Sequence, residues 1–81
     1  MNIEEQIRRY IYKSVDKLKN KGDSVDLKCV NPDIIEYVLG SSEEPYEMNG
    51  YDCDYWMTIN KYEISGSMRF GTASITLIED K

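Results

Sequence analysis

The sequence predicts a single α+β domain over residues 1–81, with two helices packed on one face of a mostly antiparallel sheet in the order α-β-α-β-β-β-β. The chain has 81 residues, the length of one domain. Apolar residues recur at helical spacing in its first half and alternate with polar residues in its second half. Because an antiparallel sheet can keep one face in water, two helices suffice to cover the apolar face.

Residues 3–20 have the pattern of an amphipathic helix. Asn2 is a good N-cap, and Glu5 stands where a capping box needs it. Gly22 is predicted to end the helix. The apolar positions recur every three or four residues: Ile3, Ile7, Ile11, Val15 and Leu18.

A short strand over residues 24–30 and a second helix are predicted next. In the strand, Val25, Leu27 and Cys29 alternate with polar residues. The helix begins at 31–33, where Asn caps and Pro takes the first helical position, and Gly40 ends it.

The remaining chain is predicted to form antiparallel strands. Asn49-Gly50 is a strong hairpin signal, so residues 45–48 are expected to pair with 51–54. Further strands are expected at 51–59, 62–70 and 72–78, with turns at 60–61 and 71–72. By period two, one face collects Cys53, Tyr55, Met57, Ile59, Tyr62, Ile64, Met68, Phe70, Ala73, Ile75 and Leu77.

The composition argues against an enzyme, a metal site or a cofactor. The chain has no histidine, which removes the commonest general base and metal ligand. Cys29 and Cys53 have no second cysteine at a metal-binding or dithiol spacing, and we expect two free, buried thiols. We predict no catalytic residue. Paired carboxylates such as Asp52 and Asp54 leave an enzyme that uses carboxylates alone as an alternative.

Charge is divided unevenly along the chain. Residues 1–28 hold seven basic and five acidic groups, whereas residues 29–81 hold three and ten, so the two parts carry +2 and −7. An acidic surface repels nucleic acid and attracts basic proteins, so we expect no direct nucleic-acid contact. The start of the chain does not resemble a secretory signal and no apolar run could span a membrane, which predicts a cytoplasmic protein, in the host cytoplasm if phage-encoded.

Trp56 is the most informative single residue. Period two places it on the polar face of its strand with Asp52 and Asp54. An exposed Trp ringed by polar groups is typical of a binding hot spot, although a half-buried ring remains the other interpretation. The predicted partner-binding set adds three acidic residues that would steer the encounter: Glu43, Glu44 and Glu47.

The segment Pro32-Asp33-Ile34-Ile35-Glu36-Tyr37-Val38-Leu39-Gly40 follows a short strand and precedes an acidic antiparallel sheet. In this order and in charge the chain resembles the phage uracil-DNA glycosylase inhibitor family, whose members imitate DNA and plug the enzyme's groove. The class of small acidic phage inhibitors that includes many anti-CRISPR proteins shares its size and charge. The glycosylase inhibitor family carries a critical glutamate on its first strand, where this chain has Asp26. By position, the resemblance implies Asp26 and Glu36 as further partner-binding residues.

These observations predict a non-enzymatic acidic protein that occupies the basic nucleic-acid cleft of a host protein and inhibits it. The alternative is a homo-oligomeric accessory or structural domain, in which Trp56 lies in a twofold interface. The expected partner is a basic nucleic-acid-binding protein of the host or, in the alternative, a second copy of this chain in a homodimer.

Overall fold

The computed structural model describes residues 2–42, 47–51 and 53–80, and for residues 47–49 it describes the backbone alone. Two helices and five strands follow in the predicted order, which confirms the α+β class. Their bounds are α1 Ile3–Asp16, β1 Ser24–Lys28, α2 Pro32–Leu39, β2 Glu47–Asn49, β3 Asp54–Ile59, β4 Tyr62–Ser67 and β5 Thr72–Leu77.

The five strands form one sheet in the order β1-β5-β4-β3-β2, and every described pair is antiparallel. β1 therefore lies beside the last strand of the chain, and the two helices cover one face. The core collects alternate residues of the strands, apolar residues of the helices and two residues of connecting segments, Leu18 and Val30. Its members are Ile11, Val15, Leu18, Leu27, Val30, Ile35, Tyr55, Met57, Ile59, Ile64, Ala73, Ile75 and Leu77. Neither described helix has the length and apolar composition needed to cross a membrane.

Both helices begin at the predicted caps. The Glu5 N–H donates to the Asn2 Oδ1 at 2.8 Å, and the Ile34 N–H donates to the Asn31 Oδ1 at 3.0 Å. These bonds satisfy amides that have no partner inside the helix.

α1 ends at Asp16 rather than at residue 20. The chain leaves the helix because the Asp23 carboxylate accepts the N–H groups of Lys19, at 3.0 Å, and Asn20, at 2.9 Å. These two bonds lower the pKa of Asp23. Short polar side chains offer the backbone such an alternative to helix.

The hairpin register differs from the prediction. Glu47–Asn49 pairs with Asp54–Trp56, so the expected pairing of residue 48 with residue 51 is wrong, while residues 45, 46 and 52 lie outside the described residues. The Cys53 N–H donates to the Gly50 oxygen at 3.3 Å, and Cys53 has a φ of 53°. The predicted turn at 60–61 is confirmed, with Asn60 at a φ of 53°.

β4 stops at Ser67, so the prediction that Met68 and Phe70 face the core is wrong. Both are exposed, Phe70 by 62% of its surface. The chain turns here because the Phe70 N–H donates to the Ser67 Oγ at 3.4 Å and Gly71 adopts a φ of 64°. A left-handed φ of that kind favours glycine.

The expectation of buried thiols is also wrong. Cys29 is exposed and Cys53 is half-buried, and both are free. Strand β1 ends one residue before Cys29, whose φ of 61° breaks the alternation that would have turned it inward.

Candidate binding face

The sheet turns one set of side chains away from the helices, and we call this set the outer face. Period two and the strand registers assign its members. They are Ser24, Asp26, Lys28, Asp54, Trp56, Thr58, Glu63, Ser65, Ser67, Thr72, Ser74 and Thr76.

Trp56 is the largest side chain on the outer face. Its neighbours in sequence, Tyr55 and Met57, are buried in the core, whereas 49% of the Trp56 surface is exposed. The alternation of strand β3 therefore directs the indole outward, as its position in the sequence predicts.

A row of side chains crosses the sheet through Trp56. Trp56 pairs with Ser65, Ser65 with Ser74, and Ser74 with Asp26 on the far edge strand. The neighbouring row runs from Asp54 to Lys28 by way of two more hydroxyl residues, Ser67 and Thr72. Sheet order thus brings Asp26, Asp54 and Trp56 to one face although 30 positions separate Asp26 from Trp56.

The outer face contains a groove of about 640 Å³. Large and charged side chains of β3 and β1 line its two sides, and Ser and Thr side chains of β4 and β5 form its floor. Because β1 and β3 are three strand spacings apart, the groove is about 14 Å wide between backbones. That width admits a protruding loop, a strand or a helix of a partner.

Side-chain hydrogen bonds join β1 to β5 on the outer face. The Ser74 Oγ donates to the Asp26 Oδ1 at 2.6 Å, and the Thr76 Oγ1 donates to the Ser24 Oγ at 3.2 Å. The first bond ties the Asp26 carboxylate to the neighbouring strand. The Asp26 carboxylate therefore presents a negative charge in a nearly fixed position.

The outer face is moderately acidic. Its described charged groups are Asp26, Asp54, Glu63 and Lys28, so three negative charges and one positive charge give −2. The surface between the carboxylates is neutral and hydroxyl-rich.

Beneath the groove lies Tyr55, whose hydroxyl donates to the Thr72 carbonyl oxygen at 3.4 Å. Burial raises the pKa of Tyr55 to about 12. The phenol is neutral at physiological pH. Within the described residues, no three His, Cys, Asp or Glu side chains come together as metal ligands would.

The other predicted site residues are distributed as follows. Glu43, Glu44 and Asp52 lie outside the described residues, and for Glu47 only the backbone is described, directly opposite Trp56 in the register. Glu36 lies on α2, in the helix layer, so it does not share the outer face with Trp56.

The structure adds a cluster of exposed side chains that the sequence pattern missed. The Arg69 guanidinium lies 4.1 Å from the centroid of the Tyr51 ring and 5.4 Å from that of Phe70. Tyr51 is 84% exposed. The cluster stands on the β2–β3 and β4–β5 loops, next to the row that contains Asp54. Arg and Tyr are enriched in binding hot spots, and only the pairing of the two loops brings them together.

Comparisons with models of known families, with curated proteins and with solved structures found no match for this chain.

Proposed function

We propose that this chain is a non-enzymatic inhibitor that docks its outer face on the basic nucleic-acid cleft of a nucleic-acid-processing protein. The observation that carries the proposal is Trp56, half-exposed at the side of a groove with Asp54 next to it on the same strand. A large ring left in water among small hydroxyls and carboxylates gains free energy when a partner covers it.

Charge supports the choice of partner. The chain carries −5 overall, and the outer face has −2 from its described groups. Arg and Lys side chains that bind phosphates pair equally with carboxylates.

The same ring also suits a twofold interface, which is the alternative of a homo-oligomeric accessory domain. In that case Trp56 of two copies would be covered in a dimer that salt does not weaken. A nucleic-acid mimic loses affinity for its target as salt rises.

The test is affinity capture from a host lysate with three immobilised baits: the wild type, Trp56→Ala and Tyr12→Ala. Tyr12 is a matched control, because it is an aromatic residue of the helix layer with 46% exposure, close to that of Trp56. A protein captured by the first and third baits is then challenged with a DNA or RNA oligonucleotide and with high salt.

We expect Trp56→Ala to weaken binding of the captured protein by about 2 kcal/mol or more, and the oligonucleotide to release it. Tyr12→Ala should leave binding unchanged. The proposal is refuted if the oligonucleotide does not displace the captured protein, or if Trp56→Ala and Tyr12→Ala weaken its binding equally.

A further inference from the structure

A second groove lies on the opposite side of the molecule, between the two helices. It encloses about 300 Å³ and is lined by Glu4, Ile7, Asp33, Ile34, Tyr37 and Val38. The groove has an apolar floor, which consists of Ile7, Ile34 and Val38 where they pack against the core.

The rim of this helix groove exposes unusually large apolar side chains. Ile3 precedes Ile7 by one turn of α1 and is 73% exposed, and Tyr37 is 69% exposed. The Arg8 guanidinium lies 5.3 Å from the centroid of the Tyr37 ring. This contact orders the ring before any partner binds, which lowers the entropic cost of using it in an interface.

We infer that the helix groove is the interface of a twofold dimer, in which Ile3 of each copy enters the groove of the other. The groove and the exposed isoleucine lie on the same surface, so one twofold axis can satisfy both copies at once. This inference is independent of the proposed function, because the helices cover the face of the sheet opposite Trp56.

The charges on α1 favour a second copy over an unrelated peptide. Glu4 and Arg8 are four residues apart on an exposed stripe of the helix. If two α1 helices cross antiparallel between these positions, each Glu4 faces an Arg8 of the other copy. A uniformly basic partner would meet Arg8 unfavourably, and a uniformly acidic one would meet Glu4 and Asp33.

The dimer has a consequence for the outer face. Association through the helices leaves both Trp56 groups exposed on opposite sides of the dimer. The dimer would thus present two copies of the proposed binding face, whereas association through the outer face would cover them.

The test is sedimentation equilibrium of the purified chain from about 10 μM to about 1 mM, a range that resolves weak dimers. We expect the wild type to dimerise. Ile3→Ser should raise the dimer Kd about tenfold or more, because each copy loses an apolar side chain from the interface. Since Ile3 is exposed, its substitution should leave the fold intact, which circular dichroism checks.

Charge reversal sharpens the test. Arg8→Glu should raise the Kd by about two- to fivefold. The double variant Glu4→Arg with Arg8→Glu should lower the Kd again, because the two charges exchange places, although it does not recover the contact between Arg8 and Tyr37. Arg9→Glu changes the net charge equally on the next residue of α1 and is the matched control. A chain that remains monomeric throughout, a dimer broken by Trp56→Ala, or failure of the double variant to recover would each overturn the inference.

Discussion

At the scale of single residues, the packing of Tyr55 depends on the absence of a side chain opposite it. Tyr55 pairs with Gly66 across β3 and β4, and its ring is almost completely buried. A Cβ on Gly66 would clash most closely with the Thr72 carbonyl oxygen of β5, and it would lie 2.9 Å from both the Tyr55 hydroxyl oxygen and the Ala73 Cα. Glycine weakens an isolated strand, but here it leaves the space that a buried aromatic ring fills.

We therefore predict that Gly66→Ala destabilises the fold by about 1–3 kcal/mol, because the added methyl group forces the ring and the β5 backbone apart. Urea denaturation followed by circular dichroism measures the effect. Ser65→Ala, on the next residue and exposed on the outer face, should change stability by no more than about 0.5 kcal/mol. An equal, small effect of both substitutions would show that the strands separate easily at this point.

At the scale of elements, the ends of strands were harder to predict than their interiors. Alternation correctly assigned the buried residues of β3 and β5, and the sequence correctly placed the N-caps of both helices. The loops depend on left-handed φ angles at Cys29 and Cys53, and cysteine gives no local signal for that conformation. Asn60 does give one, and the turn at 60–61 was predicted correctly.

The turn between α1 and β1 carries a prediction that depends on pH. Asp23 accepts two backbone N–H groups, which lower its pKa from 3.8, while its carbonyl oxygen accepts the N–H of Leu77 and ties the turn to β5. A carboxyl whose pKa is lower in the folded than in the unfolded state adds stability above its unfolded pKa, and that stability is lost as pH falls through the folded value.

We expect Asp23→Ala to be less stable than the wild type at neutral pH, and the difference to shrink as pH falls below 3.8. Denaturant unfolding at a series of pH values tests this. Asp16→Ala removes an equal charge from the exposed side of α1 and should show no such loss. If the wild type and Asp23→Ala differ in free energy of unfolding by the same amount at neutral pH and in acid, the carboxylate bonds do not stabilise the turn.

At the scale of the whole molecule, the candidate binding face is a product of sheet order. Period two predicts that Asp54 and Trp56 share a face, because they are two apart on one strand. It cannot predict that Asp26 joins them, since this requires β1 to lie beside β5 rather than beside its neighbours in sequence. The cluster around Arg69 likewise depends on the pairing of two loops that are distant in the chain.

This arrangement predicts a local negative potential at the only tryptophan of the chain. Its fluorescence should be quenched by both ions and neutral acrylamide, because 49% of Trp56 is exposed. Caesium should quench it more strongly than iodide, when each is compared with a free tryptophan amide, because the carboxylates attract cations and repel anions. The difference should vanish toward 1 M salt, where the Debye length is about 3 Å.

Two substitutions locate the source of that potential. Asp54→Asn removes a charge two residues from Trp56 on the same strand. It should reduce the difference between quenching by caesium and quenching by iodide at low salt. Asp16→Asn removes an equal charge from α1 on the other side of the sheet, and its effect should be much smaller, since screening weakens a charge about 10 Å or more away at 0.1 M salt. If iodide and caesium, each compared with the free tryptophan amide, quench equally at low salt, then no anionic surface surrounds the indole. The physical basis for a nucleic-acid mimic would then be lost, whichever partner the protein binds.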